Sequence, residues 1–216
     1  MQIGLTSGAP GVARTVADAQ RAESEGFAAY ATPGDSTATL ALIGSQTDRI
    51  RLLTAVVPIF GTHPATVAGQ AQVAQDASNG RFTLGVGLSH RPMVVDQMGL
   101  AFDRPAARMR EYLQILVPLL RGEAVEQSGE YYSFHGEPRP SAGGDVPCAI
   151  AALAPVMLRL SGELAGGTIL WMANAKAIED HIAPRVNRAA SNAGAPAPEI
   201  IAGLPVALTD DPADAR

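Results

Sequence analysis

The residues with the clearest capacity for chemistry lie in one run, Gly85-Val86-Gly87-Leu88-Ser89-His90-Arg91. Gly85-Val86-Gly87 follows an apolar stretch and opens like a dinucleotide fingerprint, whose glycines let the backbone approach a pyrophosphate. The third glycine is replaced by His90, and no acidic residue closes a following short strand. A lone G-x-G does not make that site. Gly87-Leu88-Ser89-His90 also opens like a hydrolase nucleophile elbow, but Arg91 stands where the tight strand-to-helix turn demands glycine. No His-Gly-Gly oxyanion stretch lies upstream. What remains is His90, an imidazole just past the end of a predicted strand. Imidazole exchanges protons near neutral pH, so His90 is the candidate acid or base.

The other histidines, His63, His135 and His181, are not spaced as a metal pair on one helix face, and Cys148 is the only cysteine. No metal site and no internal disulfide are expected. His63 and His135 read as loop residues with local hydrogen bonds, and His181 as a helix-surface residue. The net charge is −5, with no basic block, which argues against nucleic acid as a partner. No 18-residue apolar run exists, so no membrane span is expected. The start, Met1-Gln2-Ile3-Gly4, runs into a strand-like segment without a signal-peptide pattern, which reads as a cytoplasmic protein.

These side chains need elements to position them. Strands are expected at Ile3 to Thr6, Phe27 to Thr32, Ile50 to Val57 (ended by Pro58), Phe82 to Val86, Cys148 to Leu153, Thr168 to Met172, and within Glu199 to Leu208. Helices fall between them. The first uses Val12, Val16 and Ala19 as its buried face. Others run over Thr37 to Thr47, Pro64 to about Ser78, Pro155 to Ala165 (Met157, Leu160 and Leu164 inward) and Ala175 to about Ala193 (Ile178, Ile182 and Val186 inward). The clearest runs from about Arg104 to Leu120, with Met109, Tyr112, Leu113, Leu116, Leu119 and Leu120 on one stripe. Glu123 to Val146 reads as an irregular excursion with a small aromatic knot at Tyr131, Tyr132 and Phe134. Asp210-Asp211-Pro212 reads as the start of another helix.

Apolar strands alternating with helices indicate a parallel α/β sheet covered on both faces. An open doubly wound sheet and a TIM (β/α)₈ barrel both satisfy this. About seven strands are legible, and a barrel needs eight. On the barrel reading, residues 1–216 form a single domain whose last strand and helices lie beyond Arg216. Such a barrel leaves two unpaired edges, which invites association into a homodimer.

Several segments, in order and in register, resemble the luciferase-like family of flavin and deazaflavin barrels. They are Arg49 to Pro58, His63-Pro64-Ala65, Gly80 to Gly87, the Arg104 to Gly122 helix, Gly129-Glu130-Tyr131-Tyr132 and Leu158 to Thr168. Gly87 to Pro92 is similar to a compact branch of oxidoreductases that use the deazaflavin coenzyme F420. The resemblance implies a TIM barrel with the cofactor ring at the C-terminal rim. It also implies a non-proline cis peptide at Ala55–Val56 that backs the ring, so Thr54, Ala55 and Val56 are cofactor-binding candidates. Gly87, Leu88 and Ser89 border the same place. The cofactor phosphate is expected near Ala151, Ala152, Leu153 and Ala154, where small side chains and a helix start admit an anion. Relatives usually carry Gly at position 154. Trp171 and Met172 border the ring. His90 falls where some relatives carry an acidic Glu, and Thr32 and Arg91 are substrate-binding candidates. Thr32-Pro33-Gly34-Asp35 lacks the Asp-His pair of the sugar-phosphate dehydrogenase branch. The implied activity is hydride transfer between F420 and a small organic substrate. An FMN-dependent monooxygenase and a non-catalytic cofactor binder or inactive truncated barrel are the alternatives.

Overall fold

The computed structural model describes residues 1–6, 10–139, 141–207 and 209–210. Short runs with large apolar side chains at alternate positions form strands, and segments apolar at three- and four-residue spacing form the helices between them. The chain passes through β1 (Gly4–Thr6), α1 (Val12–Ser24), β2 (Ala29–Thr32), α2 (Thr37–Gly44), β3 (Arg51–Thr54), β4 (Val57–Pro58), α3 (Pro64–Ala77) and β5 (Phe82–Gly87). It continues through α4 (Pro105–Leu120), β6 (Val125–Gln127), β7 (Phe134–Gly136), β8 (Cys148–Ala151), α5 (Pro155–Leu164), β9 (Gly167–Trp171), α6 (Ala175–Ala177), α7 (Ala183–Asn192) and β10 (Glu199–Gly203). Two π-helical turns, Met93–Gln97 and Ile178–Ile182, precede α4 and α7.

Strands β1, β2, β3, β5, β8, β9 and β10 pair in that order, all parallel, and β4 adds to β5 beyond the end of β3. They curl into a near-closed barrel whose open seam, among the described residues, lies between β1 and β10. One ion pair demonstrates the curl. In a flat sheet β3 and β10 would stand about 19 Å apart, four strand spacings. Yet Arg51 Nη1 and Nη2 donate to the two carboxylate oxygens of Glu199 at 2.6 Å each, and Arg51 Nε donates to Thr83 Oγ1 at 3.0 Å. Arg51 and Glu199 each open their strand, so the cluster closes the floor of the barrel.

Side-chain size separates the two faces of the sheet. In β5, Phe82, Leu84 and Val86 are buried in the main core, while Thr83, Gly85 and Gly87 face the barrel interior. Helix α4 buries Met109, Tyr112, Leu113, Leu116, Leu119 and Leu120, as its periodicity predicts, and also Ile115 and Val117. Two charged side chains tie the connections together. Arg81 donates to the carbonyls of Gly44, Thr47 and Ile50 and to Thr47 Oγ1, capping the chain end of α2. Glu23 accepts from the N–H groups of Asp48, Arg49 and Ile50, holding the turn that feeds β3.

Several expectations are corrected in detail. Ile50 to Val57 is not one strand. It breaks at Ala55 and Val56 and resumes as β4, which contains Pro58 rather than ending at it. Pro58 is tolerated because β4 is only two residues long and needs few ladder bonds. Glu123 to Val146 is not wholly irregular, since β6 and β7 form an antiparallel pair. Val12 lies outside the core, because α1 begins there and its buried face is Thr15, Val16, Ala19 and Ala22. His135 sits in β7, where Nδ1 contacts Glu126 at 2.7 Å. The helix start expected at Asp210-Asp211-Pro212 lies, beyond Asp210, outside the described residues. No helix among the described residues is long and apolar enough to cross a membrane.

Two outcomes follow. The Arg51–Glu199 pair is half-exposed but bidentate, so a double-mutant cycle with Arg51→Ala and Glu199→Ala should show about 1 kcal/mol of coupling in urea unfolding. Burial raises the pKa of Glu23, but the N–H groups of Ile50, Arg49 and Asp48 outweigh it and hold the group below its ordinary 4.5. A carboxylate whose folded pKa is lowered stabilises the fold above its unfolded pKa, and that stability is lost as pH falls through the folded value. Glu23→Gln should therefore cost about 1–2 kcal/mol at neutral pH. It should also flatten the acid-side decline of the urea midpoint, measured from neutrality to below 4.5.

Candidate functional site

The strand ends opposite the Arg51 floor form the other mouth of the barrel, where βα loops place functional groups in such folds. The mouth is built around the break between β3 and β4. There the ladder to β5 is interrupted, and the fully buried Thr54 replaces it with its side chain. Its hydroxyl donates to the Gly85 carbonyl at 2.9 Å and accepts from the Gly85 N–H at 2.8 Å. Ala55 N–H donates to the Thr32 carbonyl at 2.8 Å on one side, and Ile59 N–H donates to the Gly87 carbonyl at 2.9 Å on the other. The Ala55–Val56 peptide between them is cis, at the position the resemblance indicates.

This loop leans onto β5, which receives it because it carries glycine. A Cβ on Gly87 would lie 2.6 Å from Val56 Cγ2 and 3.2 Å from Ala151 Cβ. A Cβ on Gly85 would lie 2.1 Å from the Thr54 carbonyl oxygen and 2.5 Å from Ile169 Cδ1. Thr54, Val56, Gly87 and Ala151 are thus brought together on a shelf of small side chains, with Ala55 and Val56 half-buried. Gly85, which sequence reasoning read only as part of an incomplete fingerprint, and Ile169, which it did not single out, make its underside. A glycine among strand residues was the available signal for Gly85. Ile169 carried none, because any apolar strand residue looks the same.

Around the shelf the rim is apolar and open. Trp171 is 60% exposed and Met172 63%. Met172 has φ +58° and its N–H donates to the Gly203 carbonyl at 2.9 Å. Ala152 is buried and its N–H donates to the Ile169 carbonyl at 3.3 Å. Leu153 and Ala154 are exposed. Ala154 is the extended N-cap of α5 and offers no side-chain cap, and Pro155 takes the first helical position. The N–H groups of the next two residues, Val156 and Met157, therefore have no partner within the helix.

Beyond β5, Leu88 is half-buried and Ser89 turns the chain with φ +62°. The Ser89 hydroxyl lies 3.1 Å from Met93 Sδ and makes no hydrogen bond to a histidine or carboxylate among the described residues, so no hydrolase elbow forms. His90 and Arg91 are exposed, and neither side chain makes a hydrogen bond or ion pair among the described residues. Thr32 differs from the others. It is buried and its hydroxyl is engaged by Ser36, so it shapes the end of β2 rather than facing open space.

After β4, whose Ile59 N–H bonds the Gly87 carbonyl, stands a wall of which sequence reasoning marked only Tyr131. Phe60 and Phe102 stack at 5.2 Å, and the Arg108 guanidinium lies 4.0 Å from the Tyr131 ring centre and 5.7 Å from that of Phe60. His63 caps α3 through Nδ1, and its Nε2 meets the Ser133 carbonyl at 3.2 Å, tying the β6–β7 tip to the rim. These residues come from α4 and from separate connections before and after it, so no spacing in the chain announces them. No group of three metal-ligating side chains occurs among the described residues. Burial pushes the Cys148 thiol up to about 12, which leaves it inert.

A parallel barrel with a small-residue shelf under an apolar rim places the chain among luciferase-like barrels. The family described as luciferase-like monooxygenase matches residues 1–216, and the chain belongs to it. It is 31% identical over 172 residues to the F420-dependent glucose-6-phosphate dehydrogenase of Nocardia farcinica, covering 74% of this chain and 49% of that one. It shares the fold of the coenzyme F420-dependent tetrahydromethanopterin reductase of Methanopyrus kandleri (TM-score 0.79, 24% identity, 94% of this chain and 64% of that one). It also shares the fold of the oxygenating constituent of 3,6-diketocamphane monooxygenase of Pseudomonas putida, solved with FMN (TM-score 0.74, 19% identity, 90% and 64%). The chain spans about half the length of the curated relatives it matches.

The shelf makes a discriminating prediction. Gly85→Ala sets its methyl against backbone and should cost about 2–3 kcal/mol in urea unfolding. Gly87→Ala meets the Val56 side chain, which can turn, and should cost less than half as much. Equal losses would show that the two glycines do not differ as described.

Proposed function

We propose that this chain is the cofactor-holding barrel of an F420-dependent oxidoreductase acting on a small organic substrate. The observation that carries the reading is the open apolar rim around a shelf that only small side chains permit. Exposed Trp171, Met172 and Leu153, near the strand ends that carry Gly87 and Ala151, leave apolar surface of the kind that covers a flat polycyclic ligand. The uncapped start of α5 after Ala154 suits the phosphate of such a ligand. The residues present therefore fit a phosphate-bearing tricycle. Ala154 keeps a methyl where the resemblance implies glycine, but it is exposed. Similarity to an F420-dependent enzyme of Nocardia farcinica supports the deazaflavin in particular.

When bound, F420 supplies a two-electron hydride carrier. The protein's own task is to orient, to exclude water and to move a proton. Thr54, Ala55 and Val56 back the ring through the shelf, and Ala151 to Ala154 hold the phosphate end. His90 is the proton donor, because it is the imidazole at the rim that no structural contact occupies. Ser89 and Arg91 orient the substrate beside it. Thr32 supports the site by holding Ser36.

Trp171 is the only tryptophan, so it reports binding directly. Titrating the chain with F420 and with FMN should quench its emission with F420 at the lower concentration. A preference for FMN would move the chain to the monooxygenase side of the family, and binding of either without quenching would take the ring away from this rim. His90→Ala should lower turnover roughly 10²-fold while F420 affinity stays within about twofold. Unchanged turnover would remove His90 from the mechanism.

A further inference from the structure

Between His90 and α4 the chain runs through the π-helical turn Met93–Gln97 and a short connection to Asp103. Isolated π-helical turns gather at functional sites, because the wider turn re-aims side chains. This one is pinned by Val94, which is fully buried and whose N–H donates to the His90 carbonyl at 3.1 Å. With Val94 inside, apolar side chains are left outside: Met93 is 40% exposed, Met98 43% and Leu100 37%. This apolar strip adjoins the mouth. A Cβ on Gly61 would lie 2.9 Å from Met98 Cε and 3.7 Å from Leu100 Cδ1. Gly61 comes shortly after Ile59, whose N–H holds the Gly87 carbonyl of the shelf. Phe102 continues the strip by stacking on Phe60.

The polar groups along the strip are already spent. The N–H groups of Met98, Gly99 and Leu100 donate to the carbonyls of Met93, Val95 and Val94 at 3.1, 3.2 and 3.0 Å. They therefore form no nest of free amides for an anion. Arg104 is paired with Glu130 at 2.6 Å and Arg108 with Asp103 at 2.7 Å, and Arg108 also lies over the Tyr131 ring. Arg91 and Asp96 have no ion pair among the described residues, but they are opposite in sign on one segment. A single exposed guanidinium adds little to the binding of an anion. A phosphate or carboxylate brought against Met98 and Leu100 sheds water and gains no donor in return, which costs free energy.

We propose that this strip selects the substrate, and that the substrate is uncharged and largely apolar. It is a cyclic or branched carbonyl compound rather than a sugar phosphate or a carboxylic acid. The inference rests on the F420 reading above and deepens it. Met98 and Leu100 are the specificity-determining side chains. Methionine is unbranched and adapts its shape, so the strip discriminates by charge more than by outline. His90, where the segment begins, serves the polar end of such a molecule, and Met98 and Leu100 cover the rest.

The test loads the full chain with reduced F420 and offers it cyclohexenone and the same ring bearing a carboxylate. Each turnover oxidises one reduced F420 and adds its hydride and one proton across a double bond of the ring. The preference is read in kcat/KM and, apart from turnover, in ring affinities by saturation-transfer NMR. The neutral ring should be favoured roughly 10- to 100-fold, mainly through KM. Met98→Lys should cut that preference about tenfold by lowering KM for the carboxylate. Val73→Lys, which adds the same charge at an exposed position of α3, should leave it unchanged. F420 affinity shows that each variant is folded, and Leu100→Lys makes the same test if Met98→Lys loses it. Equal handling of the rings, preference for the carboxylate, no binding of the neutral ring, or a preference that the lysine leaves in place overturns the inference. Each of these leaves the F420 reading standing. Failure of the chain to bind F420 overturns both.

Discussion

The structure depends on the difference in bulk between the two faces of one parallel sheet. Phe82, Leu84 and Val86 crowd the helix side of β5, while Thr83, Gly85 and Gly87 leave the inner side thin. A sheet that is thick on one face and thin on the other bends toward the thin one, and bending is what brings Arg51 on β3 to Glu199 on β10. That ion pair ties the floor together across the interior. It does so although β1 and β10 do not pair among the described residues.

The same thinness organises the mouth. Gly87 and Ala151 leave room for the chain between β3 and β4 to fold inward, and Thr54 carries the hydrogen bonds that the interrupted ladder gives up. A shelf made this way is rigid at its base and apolar at its surface. The groups able to exchange protons or bind anions, His90, Arg91 and the start of α5, stand around it on loops. Support from below and chemistry from above is the division of labour expected at the C-terminal end of a parallel barrel.

Much of this architecture was legible in the chain. Alternating apolar strands and helices indicate a parallel sheet, and seven strands are countable in the chain. The stripe from Met109 to Leu120 is buried as its spacing implies. These features are local: burial periodicity is written into neighbouring residues, so it can be read one segment at a time. His90 was legible as a candidate because it lies just past a recognisable strand, whereas Gly87 and Ala151 to Ala154 were candidates through the family resemblance. The order of motifs was enough to indicate the family.

Contacts between distant segments were decided only in three dimensions. Nothing near Ile169 marks it as the underside of Gly85, and nothing near Arg108 marks it as lying over Tyr131 and Phe60. Thr32 read as a substrate contact, but folding gave its hydroxyl to Ser36. The break at Ala55 and Val56 falls within a run whose β-branched residues alone describe an unbroken strand. By itself the chain determined which segments become strands and helices and which side of each is apolar, because those preferences act over a few residues. The tertiary structure decided which small residues lie opposite which large ones and which charges are left unmatched, because those depend on how the curved sheet brings remote segments within a few ångströms.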